Sequence, residues 1–136
     1  MPPLTILHLA ANRWWTGSAD PIIHLVSGLR ARGHRVLLGL IPGDRFEAKA
    51  RQAGLELVDG LSMDARMGPR ALARDVLRVR SVIRDERVDI VHTHHSHDHW
   101  LAVLTRPKRE QGGRTPVVRT FHNLRSVRRD RLGVTL

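Results

Sequence analysis

The chain contains no cysteine, which removes a disulfide framework, a thiolate metal site and a cysteine nucleophile together. Lysine occurs only at Lys49 and Lys108, so arginine carries nearly all of the positive charge. No window approaches the ~20 apolar residues that a membrane-spanning helix needs. Met1-Pro2-Pro3 opens without the basic flank and apolar stretch of a secretory signal. These absences lead to the expectation of a soluble cytoplasmic chain whose chemistry rests on histidine, carboxylates, hydroxyls or the backbone. What remains is ample for one domain: 136 residues, of which 41% are hydrophobic, can bury a substantial core.

Charge is unevenly placed. Residues 1–105 carry 14 basic and 11 acidic side chains, whereas residues 106–131 carry 9 and 2. The second stretch holds Arg106, Lys108, Arg109, Arg114, Arg119, Arg125, Arg128, Arg129 and Arg131. Long-range electrostatics reads sign and not identity, so this patch suits nucleic acid, anionic lipid or a phosphorylated ligand equally. A solvated arginine-rich face with no partner is the plain alternative.

Apolar runs alternate with helical patterns. Leu4-Thr5-Ile6-Leu7-His8-Leu9 reads as a strand buried on both faces. Asp20-Pro21 then supplies an N-cap and a first-turn proline, Ile22, Leu25, Val26 and Leu29 recur at helical spacing, and Gly33 closes a helix over 20–32. Residues 36–41 form a second strand, and Asp44-Arg45-Phe46-Glu47 opens a helix that Gly54 ends. Residues 55–58 give a short third strand. Pro69 opens the longest helix, with Leu72, Val76, Val79 and Ile83 on one face and Arg70, Arg74, Arg78, Arg80 and Arg84 around the other. Residues 88–92 are strand four, residues 100–105 a short helix, and residues 117–121 strand five.

Five strands separated by four helical segments predict an α/β fold, a Rossmann-like doubly wound parallel sheet ordered 3-2-1-4-5. Ligands of such sheets bind beyond the carboxyl ends of the strands, where the chain reverses direction between strands one and four. That selects three segments: Asn12, Arg13, Trp14, Trp15, Thr16, Gly17 and Ser18 after strand one, 94–99 after strand four, and His122-Asn123 after strand five.

Gly17 precedes the Gly33-His34 pair by 16 positions, Asp89-Ile90-Val91-His92-Thr93-His94 runs through strand four and just past it, and Thr120-Phe121-His122-Asn123 ends strand five. In this order and spacing the chain resembles, over nearly its whole length, the N-terminal, acceptor-side domain of group 1, family-four glycosyltransferases of the GT-B fold. The resemblance implies a transferase that moves a sugar from a nucleotide-sugar donor to a glycan or lipid-linked acceptor, with no cofactor besides that donor. Gly17 matches the family's second glycine near the donor phosphates, with Ser18 beside it, and Thr16 replaces the first. Backbone amides at a helix N-terminus suit a diphosphate. His122 matches the catalytic histidine that contacts the transferred sugar, His94 and Asn123 belong to the same cleft, and Arg13, Trp14 and Trp15 are candidates for holding an acceptor.

The run His92-Thr93-His94-His95-Ser96-His97-Asp98-His99 also raises a metal reading, in which His95, His97 and His99 converge on zinc, nickel or copper. The spacing fits no defined zinc motif, and the resemblance implies no metal. The domain reading is a Rossmann-like unit over 1–123 and a basic segment over 124–136 that begins a missing remainder. On this reading transfer needs a C-terminal donor-binding domain. An anionic membrane surface is a further expected partner of the arginine-rich segments. The alternatives are a basic nucleic-acid-binding module and a His-rich metal-binding domain. Nucleic acid is not expected, because no helix-turn-helix, zinc-finger or RNP signature occurs and aromatics are few.

Overall fold

A computed structural model describes residues 2–13, 17–109 and 112–122. Within them five parallel strands form one sheet ordered β3-β2-β1-β4-β5: β1 (Thr5–Ala10), β2 (Arg35–Leu40), β3 (Glu56–Leu57), β4 (Ile90–Thr93) and β5 (Val117–Arg119). Four helices connect them: α1 (Ala19–Ala31), α2 (Arg45–Gln52), α3 (Gly68–Asp85) and α4 (Ser96–Thr105). The doubly wound parallel sheet and its strand order are those expected from the alternation of patterns. Strand β3 is shorter than its apolar run, and a single 3-10 turn at Ala65–Met67 interrupts the long loop before α3.

Both faces of the sheet are covered, and strand parity decides which residue goes where. Leu7, Leu9, Leu37 and Val91 pack with Val79, Val82 and Ile83 of α3 and Leu101 and Ala102 of α4. Ala10, Val36, Leu38 and Leu40 pack with Ile22, Ile23 and Val26 of α1 and Phe46 and Ala50 of α2. Phe46, the largest side chain that is fully buried, fixes α2 to that layer.

The helix ends follow local chemistry. Gly33 takes φ +90° and its amide bonds Arg30 O, closing α1 as expected. The N-cap expected at Asp20 falls instead on Ser18, because the helix begins at Ala19; Asp20 lies in the first turn, 3.2 Å from His24. Asp44 caps α2 by accepting from Phe46 N at 2.8 Å, while Glu47 accepts from Gly43 N at 2.7 Å. The largest departure is α4, which starts at Ser96 and not near residue 100. Asp98 accepts the His95 amide and the His95 side chain accepts the Asp98 amide, a reciprocal cap in which histidine replaces the usual serine or threonine. The histidine run is therefore the entry to a helix and not an open loop.

Asp75, only 2% exposed, projects from α3 to the chain before it. Its carboxylate accepts from Ser62 N (2.8 Å), Ser62 Oγ (2.8 Å) and Met63 N (2.9 Å). Asp75→Ala strands a buried amide and a half-buried amide and hydroxyl; the expected loss is about 3 kcal/mol of unfolding free energy, read from urea midpoints. The exposed neighbour Arg74→Ala should change stability by under about 0.5 kcal/mol. Equal effects of the two substitutions would remove Asp75 as the anchor of this loop.

Candidate functional site

The site is built where β1, β4 and β5 end. Asn12, just past β1, donates from Nδ2 to Ser18 Oγ at 2.9 Å, and its Oδ1 accepts from His95 Nε2. His94, just past β4, meets His122 beyond β5, with Nδ1 and Nε2 3.3 Å apart. The three segments singled out by topology thus close on one another through side chains.

Gly17 and Ser18 stand at the N-terminus of α1. Ser18 makes no side-chain cap to that helix. A Cβ added at Gly17 meets nothing within 4 Å, and its φ lies outside the left-handed range. Neither crowding nor backbone conformation among the described residues demands glycine there. Arg13 does not stand open: its guanidinium pairs with Asp64, tying the loop after β1 to the loop before α3. Trp14, Trp15 and Asn123 lie outside the described residues, as does the basic segment 124–136.

Beneath His122 lies a group of imidazoles. The β1–β4 register sets His8 opposite His92, and His94, two residues on, shares that face. His8 is fully buried and His94 is 3% exposed; His94 therefore reaches a ligand only through exposed His122. His8 Nδ1 lies 3.0 Å from His94 Nε2, and His92 Nε2 lies 2.7 Å from Thr120 Oγ1. The rings stack, His92 on His94 at 4.6 Å and 12°, and His8 against His92 at 4.6 Å and 32°.

Burial keeps these rings neutral. It pushes His8 down to about 3, with the neighbouring His92 adding to the effect. It pushes His94 down to about 2, aided by His8, His92, His122 and His95. Burial likewise lowers His92 and His95, in both cases reinforced by His122. Asp98 moves the other way, its burial raising the carboxyl to about 6 despite the amides of His94 and His95 that it accepts.

The metal trio read from the sequence does not assemble. His95 is bonded to Asn12, and His99 on α4 has its Nδ1 3.4 Å from Thr93 Oγ1 at the end of β4. A different trio, His8, His92 and His94, brings one nitrogen each within 4.8 Å of the others. Near-parallel stacking aims the in-plane lone pairs of His92 and His94 side by side and not at a common point, and hydrogen bonds already engage a nitrogen of each ring. The arrangement is a hydrogen-bonded imidazole cluster. Sequence reasoning placed Asn12 in the loop after β1 without giving it a role and did not single out His8 or His92, although His92 and His94 at strand spacing share a face.

The Glycosyltransferase Family 4 signature matches residues 15–134. The chain belongs to that family. It has the N-terminal, Rossmann-like domain of the GT-B fold, as the resemblance implied. Among solved structures, a glycosyltransferase of Rickettsia africae superposes on 90% of the chain with a TM-score of 0.71 at 19% identity. MurG of Acinetobacter baumannii matches 89% with a TM-score of 0.63 at 13% identity. HepE of Anabaena, solved in complex with UDP and glucose, matches 90% with a TM-score of 0.58 at 14% identity. The chain spans only 30%, 35% and 31% of those proteins respectively. No curated protein matches the sequence.

The imidazoles of this family-four domain give stability a definite pH dependence. Unfolded histidine charges near 6.5 while folded His8 and His94 resist to about 3 and 2. The folded state binds fewer protons between those values, so stability is complete above pH 6.5 and falls as pH drops. Between pH 6.5 and 5 each ring forfeits about 2 kcal/mol, while Asp98, whose folded carboxyl protonates first, returns about 1.4 kcal/mol. Urea midpoints should fall from pH 7.5 to pH 5, and His94→Gln should remove most of the fall, about 2 of a net ~2.6 kcal/mol. A flat profile would contradict neutral burial.

Proposed function

We propose that this family-four domain is the acceptor-side half of a glycosyltransferase that moves a sugar from a nucleotide-sugar donor to a glycan or lipid-linked acceptor, acting with a C-terminal donor-binding domain. The carrying observation is the closure of the three strand-end segments on one another at the carboxyl edge of the sheet, with His122 as the exposed end of a buried imidazole cluster. In this reading His122 contacts the transferred sugar. The α1 N-terminus at Gly17 and Ser18 receives the donor diphosphate, where backbone amides and the helix dipole favour an anion. Arg13, Trp14, Trp15 and Asn123 belong to the acceptor side of the cleft. The UDP and glucose bound by HepE support a nucleotide-sugar donor.

The test is sugar transfer from a panel of nucleotide sugars by the two-domain enzyme, with a donor-binding domain supplied covalently or as a second chain. His122→Ala should lower kcat about 100-fold, about 2.7 kcal/mol of transition-state stabilisation. Gly17→Val should raise the donor KM at least about tenfold while leaving thermal stability unchanged, since the free chain has room for the side chain. Unaltered transfer by both variants would overturn the reading.

A peripheral position on the inner face of an anionic membrane belongs to the same proposal. No helix among the described residues is long and apolar enough to cross a membrane. Helices α3 and α4 instead expose Leu77 (68%), Leu104 (61%) and Trp100 (47%) together with Arg70, Arg74, Arg80 and Arg84. Apolar and cationic side chains on one pair of packed helices suit a charged interface. Co-sedimentation with phosphatidylglycerol vesicles should fall in high salt and in Arg74→Glu/Arg80→Glu, and pure phosphatidylcholine should bind little. Equal binding to both lipids would remove the membrane from the proposal.

A further inference from the structure

The imidazole cluster contains a path with a direction. His8 Nδ1 faces His94 Nε2 at 3.0 Å, and His94 Nδ1 faces His122 Nε2 at 3.3 Å. A neutral imidazole carries one N–H and one lone pair. Two links among three such rings can both be filled in only two ways, each head to tail.

If the protons point inward, His122 Nε2–H donates to His94, His94 Nε2–H donates to His8 Nδ1, and His8 keeps its own proton on Nε2. That atom is buried and has no hydrogen-bond partner among the described residues. The inward arrangement therefore ends on an orphaned N–H inside the protein. If the protons point outward, His8 donates from Nδ1, His94 donates from Nδ1, and His8 Nε2 is left as a bare lone pair. Orphaned buried donors are rarer in proteins than under-satisfied acceptors. The outward arrangement leaves the proton of His122 on Nδ1, away from His94.

We propose that His8 and His94 are positioning residues which hold His122 as its Nδ1–H tautomer, so that His122 offers a ligand a hydrogen-bond donor and requires an acceptor oxygen in return. The functional part rests on the reading that His122 faces the transferred sugar; the tautomer itself does not. A sugar hydroxyl serving through its lone pair, or a phosphate oxygen, satisfies the requirement. A ligand group that can only donate does not, and His122 in this form accepts no proton at its ligand-side nitrogen.

The lowered pKa values of His8 and His94 keep the inner two rings single-proton groups at neutral pH. His95, which stacks 5.9 Å from His122, supplies an internal contrast. Its Nε2 faces the acceptor-only Asn12 Oδ1 and its side chain accepts the Asp98 amide, so it is held as the opposite, Nε2–H tautomer.

The experiment is a two-bond proton–nitrogen correlation spectrum of the whole 136-residue chain labelled with 15N-histidine at pH 7.5. His8, His94 and His122 are expected in the Nδ1–H pattern and His95 in the Nε2–H pattern, with each assigned by its own His→Gln variant. In His94→Gln the His122 signals should lose the pure Nδ1–H pattern and move to an averaged mixture. An Nε2–H or averaged His122 in the native chain overturns the proposal, as does a His122 pattern indifferent to His94→Gln. If that variant does not fold, the native spectrum decides alone, and His8→Gln gives a second break in the chain. Failure of the transferase reading is separate: His122→Ala would then leave transfer intact while the tautomer pattern stood.

Discussion

The pairing of β1 with β4 is the constraint on which the rest depends. These strands are not consecutive, and their junction is where the winding of the sheet reverses. Asp89 clamps the start of the pair twice: its amide donates to Thr5 O at 2.8 Å, and its carboxylate accepts from Thr5 N at 2.9 Å. With that register fixed, His8 stands beside His92, and His94 meets His122 beyond the end of β5. A slip of β1 by one residue would turn His8 to the opposite face and bring Leu7 or Leu9 opposite His92.

Buried polar groups recur at the joints of this otherwise apolar sandwich. Asp75 on α3 gathers the amides of the loop before it, Asp98 on α4 gathers those of His94 and His95, and the imidazoles gather one another. Asp75 and Asp98 supply directed hydrogen bonds to amides of turning backbone, and the imidazoles supply them between the strand ends. Such networks fix a unique geometry only when nearly every member is satisfied. The rings end at one unsatisfied nitrogen deep inside and one exposed ring outside, which gives the cluster two distinguishable ends.

Much of the fold was legible in the sequence because parallel α/β units write two periodicities into the chain. The alternation of short apolar runs with helical spacing, closed by Gly33 and Gly54, was enough for five strands and their order. The start of α4 was not legible. Histidine is an uncommon N-cap, so a run of imidazoles around Asp98 reads as loop or metal ligand until the reciprocal cap is seen. His8 was hidden for a related reason: a single polar residue in an apolar strand shows its partner only once a strand 84 positions away is placed beside it. Gly17 and His122 were singled out by their match to the family's positions, and the structure leaves room at the glycine and exposes the histidine.

Among the described residues both borders of the sheet are short, two residues in β3 and three in β5. A long border strand presents a row of unpaired amides and carbonyls to any extended chain that meets it. Here the longest strands, β1 and β2, each six residues, lie within the sheet and have neighbours on both sides. Among the described residues most of the strand-forming sequence therefore lies inside the sheet, which limits edge-to-edge pairing through strand order and not through the charge of the surface.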